Sequence, residues 1–398
     1  MGTDKNADVA VPQSGHYIEL ASTLSDRVDV KFKPGQEKLH VDALVQQMRA
    51  DRLLALPVPE SSGVDGLRLI DIARITFEIA RQSGSAGLIY AMHMSQAFTV
   101  VRHGIGPHFE AFQQKMLGQQ LLIASGTSEK GLGGDILHSL CNISDSADGR
   151  LYLAKESPNV SYLDHASAIL VTANWQATNR RKSRQVLVLV ETGVGGDQET
   201  RLSPGPASEF FGMRGILNRP WKIEASFPVA AVFPAPFGGI ARGTMTPVIH
   251  ILWAALWSGI AASVLTKAKL FASSEIPADA DITPVIQHSL TRLIDRHYMM
   301  NAMIRDAIRE FDSIDAGSDG LGFARAARIN RLKVCASELV EEICQGALHI
   351  IGMRGYATSG SFSITEEIAD ARSAGIMVSN TRLAVNTAKI ENFILETI

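Results

Sequence analysis

A chain of 398 residues with 46% hydrophobic and 20% charged side chains is long enough to bury two or three cores. Its net charge of −3 lacks the basic excess that nucleic-acid binding requires. The three cysteines (Cys141, Cys335 and Cys344) form no CxxC pair or Cys/His cluster, which excludes a close-spaced zinc or iron–sulfur site and fits a reducing cytoplasm.

The first sixteen residues carry early charges and no apolar stretch, so they read as a lead-in and not as a signal peptide. Residues 1–37 are expected to be flexible or partly helical. From Lys38 onward, DALVQQMRADRLLAL and LRLIDIARITFEIAR return apolar residues every three or four positions, which predicts a helical domain over 38–120. After Gln120 the texture changes to short β-branched runs (QLLIASGT, RLYLAKE, SAILVTA, RQVLVLVET) separated by Gly, Asn, Asp and Ser. These predict a β-domain over 121–240, closing with WKIEASFPVAAVFP. Helical periodicity then resumes, with a Pro- and Asp-rich break at Ile276–Pro284, and residues 241–398 have the length of a four-helix bundle. Within it, Pro247–Leu265 is apolar enough to be mistaken for a membrane span. His250, two tryptophans, Ser258 and Gly259 interrupt it, and it reads as a buried bundle helix.

Three ordered stretches resemble the acyl-CoA dehydrogenase family across nearly the whole chain. The first, Ser125-Gly-Thr-Ser-Glu-Lys-Gly-Leu-Gly-Gly-Asp135, is similar to the family's Thr-Glu-Pro segment and Gly-rich turn, with Lys130 in place of Pro. The second is Phe211-Gly-Met-Arg-Gly215 followed by Phe227-Pro-Val-Ala-Ala-Val-Phe-Pro234. The third is Ile351-Gly-Met-Arg-Gly-Tyr356 with Ala369-Asp-Ala-Arg-Ser-Ala-Gly-Ile-Met377, in which Met353 replaces a Gly. The resemblance implies a mainly α fold with a central β-barrel: an N-terminal α-domain, the barrel, and a C-terminal four-helix bundle assembled as a homodimer or homotetramer.

It further implies bound FAD. Thr127, Ser128, Gly133 and Gly134 fall where the family meets the flavin, and hydroxyls with a permissive glycine turn suit the pyrimidine edge of an isoalloxazine. A ligand-free Gly-rich turn would use the same residues. Ser161 takes the place of the hydroxyl beside flavin N5, and Asn159 that of an aromatic wall. Asn380, just past the base loop, is also placed at the cofactor, while His349 and Gly352 would reach the diphosphate or adenosine of a neighbouring subunit; a buried or interfacial structural role is the alternative for His349. The stretch Lys267–Glu275 lacks the Arg-x-x-Phe-Gly that the family places there. Arg214 reads as a carboxylate partner at a turn, Asp370 and Arg372 as structural, and Glu341, Glu342, Lys333 and Glu338 as a solvated charged face.

Acyl thioester dehydrogenation needs a base at the α-carbon, which the resemblance puts at Val378 or, in some relatives, at Ile249. Neither side chain can accept a proton. His93, His250 and Glu129 are the candidates for a relocated base, with core histidines as the plainer reading of the first two. Three functions follow. One is dehydrogenation at the Cα–Cβ bond of an acyl thioester on CoA or a carrier protein, passing electrons to an electron-transfer partner. Another is a monooxygenase whose flavin is reduced by a reductase or NAD(P)H and reacts with oxygen. The third is a non-catalytic acyl- or flavin-binding subunit.

Overall fold

The computed structural model describes residues 14–33, 35–60, 65–132, 135–146, 149–176, 184–193, 199–313 and 322–391. The N-terminal helices are α1 (Ser14–Ser22), α2 (Glu37–Ala50), α3 (Leu69–Gln82), α4 (Gly84–His103) and α5 (Pro107–Gln119). Their ends follow local chemistry. Ser83 caps α4 by accepting a hydrogen bond from the Ala86 N–H, and α5 starts at Pro107, whose missing N–H is unneeded in a first turn.

The strands are β1 (Ile123–Gly126), β2 (Ser144–Asp145), β3 (Leu151–Ser161), β4 (Ala168–Trp175), β5 (Arg184–Glu191), β6 (Glu199–Pro204) and β7 (Asn218–Phe227). They form a three-stranded sheet, β1-β4-β5, and a four-stranded sheet, β2-β3-β7-β6. The barrel expected from the resemblance is therefore not what the described residues make. Consecutive strands β3 and β4 join different sheets, because β4 pairs with β1 in parallel while β3 pairs with β7. Alternation along β4 explains its unbroken apolar run. Ile169 and Val171 face the main core, whereas Ala168 and Leu170 face a second core with Phe109, Phe112, Phe233 and Phe237.

Beyond the sheets lie α6 (Phe237–Ile240), a π-turn at Ala241–Met245, and then α7 (Thr246–Glu275), α8 (Thr283–Asp312), α9 (Phe323–Ile351), α10 (Met353–Tyr356), α11 (Thr365–Arg372) and α12 (Asn380–Glu391). The helical stretch Phe237–Glu275 is long and apolar enough to cross a membrane, yet 83% of its most apolar window is buried inside the protein. Its tryptophans, Trp253 and Trp257, pack into the main core shared with α3, α4 and α9. On α9 the buried stripe runs Ile329, Leu332, Ala336, Val340, Ile343 and Ala347, the 3.6-residue period of a bundle helix.

Candidate functional site

The hydroxyls singled out in the sequence sit where strands end. Thr127 and Ser128 follow β1, half-buried, and Ser161 closes β3. Ser125 Oγ and Thr127 Oγ1 lie 3.3 Å apart. Ser128 Oγ donates to the Asn159 carbonyl at 2.9 Å, and Ser157 Oγ donates to the Ser128 carbonyl at 2.8 Å. These bonds staple the end of β1 to the bulge between Ser157 and Val160, leaving the Asn159 side chain exposed. Ser161 Oγ donates to Asn218 Oδ1 at 2.5 Å; the two residues face each other in the β3–β7 register. Gly133 and Gly134 lie outside the described residues. Asp135, just past them, feels the charge of Arg382 on α12, so the end of the Gly-rich turn approaches the bundle.

Glu129 is committed elsewhere. Its carboxylate pairs with the buried Lys155 ammonium at 3.3 Å and accepts hydrogen bonds from Ser139 Oγ and the Leu140 N–H. Lys155 also donates to the carbonyl and hydroxyl oxygens of Thr172. A carboxylate held by one cation and two donors is stabilised in its charged form and is a poor proton acceptor.

His93 is fully buried, with Nε2 2.7 Å from the Leu54 carbonyl and Nδ1 accepting the Ile123 N–H at 3.0 Å. Both ring nitrogens are spent on joining the α2–α3 segment and β1 to α4. Burial pushes its pKa down to about 4, so the ring is neutral. His250 differs. Also buried and neutral, its pKa is lowered to about 4 first by burial and then by the nearby Lys333 charge; its ring bonds the Ile329 backbone, and Nδ1 has no protein partner. It stacks on Trp253 with ring centroids 5.9 Å apart.

The loop expected to carry a base joins α11 to α12. Val378, 43% exposed, has φ 61°, a left-handed conformation that β-branched residues rarely adopt. Beneath it the Lys333 ammonium donates to the carbonyls of Ala374 (2.9 Å) and Val378 (2.6 Å) and to Asn380 Oδ1 (2.7 Å). Asn380 Nδ2 in turn donates to Ser337 Oγ at 2.9 Å. Lys333 is fully buried, 5.7 Å from the centre of the Trp257 ring, and burial lowers its pKa to about 8. The solvated charged face expected here is thus corrected at Lys333. It holds at Glu341 and Glu342, which meet Arg372 and Arg296 at 2.9 and 3.0 Å at the surface. Arg214, expected to meet a carboxylate, lies over the Phe32 ring at 4.6 Å, and its charge also acts on the Glu37 and Glu366 carboxylates.

His349 is exposed and lines a groove of about 680 Å³ with Ile286, Ser289, Arg292, Gln345 and Ile350, residues of α8 and α9. Gly352, with φ 67°, ends α9 beside it. No strand residue lines this groove, so within one chain His349 and the strand-end hydroxyls serve different surfaces.

Residues 251–378 match the family model for the C-terminal domain of acyl-CoA dehydrogenases. Among solved structures, butyryl-CoA dehydrogenase from Megasphaera elsdenii aligns with a TM-score of 0.75 at 16% identity, over 98% of this chain and 100% of that one. A glutaryl-coenzyme A dehydrogenase complex aligns at 0.77 and 16%, over 99% and 98%. Dibenzothiophene monooxygenase from Paenibacillus sp. A11-2 aligns at 0.76 and 16%, over 96% and 98%. The search of curated proteins returns no match. At these identities the structural likenesses establish the fold, and the fold hosts both dehydrogenase and monooxygenase chains.

Proposed function

We propose that this chain, whose residues 251–378 match the acyl-CoA dehydrogenase C-terminal domain, is a member of that family and an FAD-dependent oxidoreductase that works as a monooxygenase. The single observation carrying this reading is the Val378 loop. The position that the resemblance puts at the substrate holds an apolar side chain, and behind it the Lys333 ammonium is bonded to the loop's own carbonyls. Abstraction of an α-proton needs an acceptor there; oxygen chemistry does not. When bound, the flavin supplies two electrons to oxygen. One oxygen atom enters the substrate and the other leaves as water, with two protons taken from solvent and the two electrons replenished by a reductase or NAD(P)H.

The residues present suit a flavin. Thr127 and Ser128 offer half-buried hydroxyls past the end of β1, where they and nearby backbone N–H groups would meet a pyrimidine edge, Ser128 as an acceptor because its proton goes to the Asn159 carbonyl. Ser161 already donates its proton to Asn218, so in this role it acts as an acceptor or turns away from that partner. Asn159, in place of an aromatic ring, leaves that wall polar. In this reading Val378 would add an apolar side chain to the pocket. His349 and the groove between α8 and α9 fit an assembly of two or four copies whose neighbours supply the adenosine side.

One observation favours a second reading, dehydrogenation of an acyl thioester with His250 as base: its Nδ1 has no protein partner. A pKa near 4 makes it a weak base.

Anaerobic mixing with a panel of acyl thioesters separates the two. The monooxygenase reading expects an unbleached flavin and, after chemical reduction and admission of ¹⁸O₂, labelled product from a panel of thioesters and aromatic heterocycles. Bleaching with product unsaturation, abolished by His250→Ala, would overturn it in favour of the dehydrogenase. A purified protein that binds no added FAD removes both readings.

A further inference from the structure

We infer that Lys333 is a positioning residue that holds the 374–380 loop in the single backbone conformation presenting Val378 to the site. This rests on the reading of that loop as a wall of the flavin pocket. An ammonium has three protons to donate, and Lys333 finds three acceptors within 2.6–2.9 Å, all on this one loop: the Ala374 carbonyl, the Val378 carbonyl and Asn380 Oδ1.

The direction of the Asn380 amide is itself fixed. The ammonium can only donate, so it faces Oδ1, while Ser337 Oγ, one turn along α9, meets Nδ2 at 2.9 Å and Oδ1 at 3.3 Å. The lysine therefore ties two long helices to the loop, with its stem on α9 and its head beside Trp257 of α7.

The loop needs such a hold. Val378 sits at φ 61°, where its branched Cβ crowds the backbone, and an unrestrained valine leaves that region for an extended one. Such a change would swing the side chain that is 43% exposed and redirect the carbonyl now on Lys333. Lys333 touches no reacting atom in this arrangement. It sets the pocket's shape from behind the backbone, and the same bond keeps its cation next to the site without exposing it.

The test uses Lys333→Met, Val378→Gly and the double variant in the full-length protein. Hydrogen exchange followed by mass spectrometry, without added flavin, reads the loop alone. Lys333→Met is expected to raise exchange across 374–380 at least tenfold while α7 amides keep their protection. FAD titration then reads the pocket: weaker binding and a shifted visible spectrum in Lys333→Met, both restored towards wild type in Lys333→Met/Val378→Gly, because glycine occupies positive φ without the lysine's help. Unchanged loop exchange, or a spectrum that glycine does not restore, overturns the proposal. If Lys333→Met does not fold, Asn380→Leu removes one of the three acceptors and is expected to raise loop exchange to a smaller degree; no rise there overturns it equally. Failure of the wild type to bind FAD would refute the flavin reading, while the exchange measurement still decides the clamp.

Discussion

The backbone N–H of Met213 donates to Asp370 Oδ1 at 2.5 Å, joining the Gly-Met-Arg-Gly turn of the β-domain to α11 of the bundle. The Gly215 N–H donates to Ser85 Oγ at the start of α4, so one turn meets both α11 and α4. Gly84 completes the joint: a Cβ there would stand 2.3 Å from Asp370 Oδ2. The motif that carries the family resemblance is thus a three-way structural corner.

Asp370 makes this corner pH-sensitive. Burial, reinforced by Glu366 and Glu367 and opposed by the Met213 N–H, raises its pKa to about 8. A carboxyl raised above its unfolded value of 3.8 binds its proton more tightly when folded, so its contribution is greatest in acid and is lost as pH rises towards about 8. Asp370→Asn keeps an acceptor for Met213 and has no proton to lose. Relative to Asp370→Asn, the wild type is expected to lose stability between pH 5 and 8 and then level off, measured by denaturant unfolding across that range. A constant difference would show that Asp370 is ionised in the fold.

Gly212 tests the same corner by shape. A Cβ at this position would lie 1.9 Å from the Ala369 carbonyl oxygen, a backbone atom that cannot swing aside. Gly212→Ala is expected to cost about 3 kcal/mol through forced separation of the turn from α11. Gly118→Ala, in α5 with nothing within 4 Å of the new methyl, is the control, and a gain of about 0.5–1 kcal/mol is expected from helix propensity. Thermal unfolding of the two variants side by side checks both signs.

The helix–strand–helix order and the three turns were legible because period and glycine placement are local properties. Pairings across the chain were not. Ser161 bonds Asn218, 57 positions away, and nothing near either residue announces the other. The expected barrel failed for a similar reason, since strand runs do not say which neighbour each will choose. Lys333 was readable and overlooked: it lies four residues after Ile329 and three before Ala336, on the buried stripe of α9. Lys155 carried the same signal, alternating in phase with Leu151 and Leu153 on β3. A charged residue on an apolar phase marks a buried polar site, which average charge patterning conceals.

His93 should prove structural. Its two ring nitrogens bond the Leu54 carbonyl and the Ile123 N–H deep in the core, so His93→Ala is expected to cost about 3 kcal/mol. A pKa depressed from 6.5 to about 4 contributes stability that is present above pH 6.5 and lost as pH falls towards 4. The acid limb of a stability–pH profile is accordingly expected to flatten between pH 6.5 and 4 in His93→Ala. A variant of wild-type stability that has lost only activity would return His93 to the list of bases.

The Lys155–Glu129 pair gives the sharpest separation between a catalytic and a structural carboxylate. The two charged groups meet at 3.3 Å with side chains 0% and 8% exposed, and burial lowers the lysine's pKa even though the Glu129 charge opposes it. Removing one partner strands the other: Lys155→Met leaves a buried carboxylate unpaired, at a cost of about 3–5 kcal/mol. Glu129→Gln leaves the ammonium with its two Thr172 oxygens and is expected to cost less. In the double variant Lys155→Met/Glu129→Gln no buried charge remains, so the losses should not add, and most of the single-variant deficit of Lys155→Met should return. Equilibrium unfolding of all four proteins closes the cycle. If Glu129 were instead a base, its loss would abolish turnover at unchanged stability and Lys155→Met would not couple to it; strong coupling in stability with retained flavin chemistry in the double variant assigns the pair to holding the Gly-rich turn against β3.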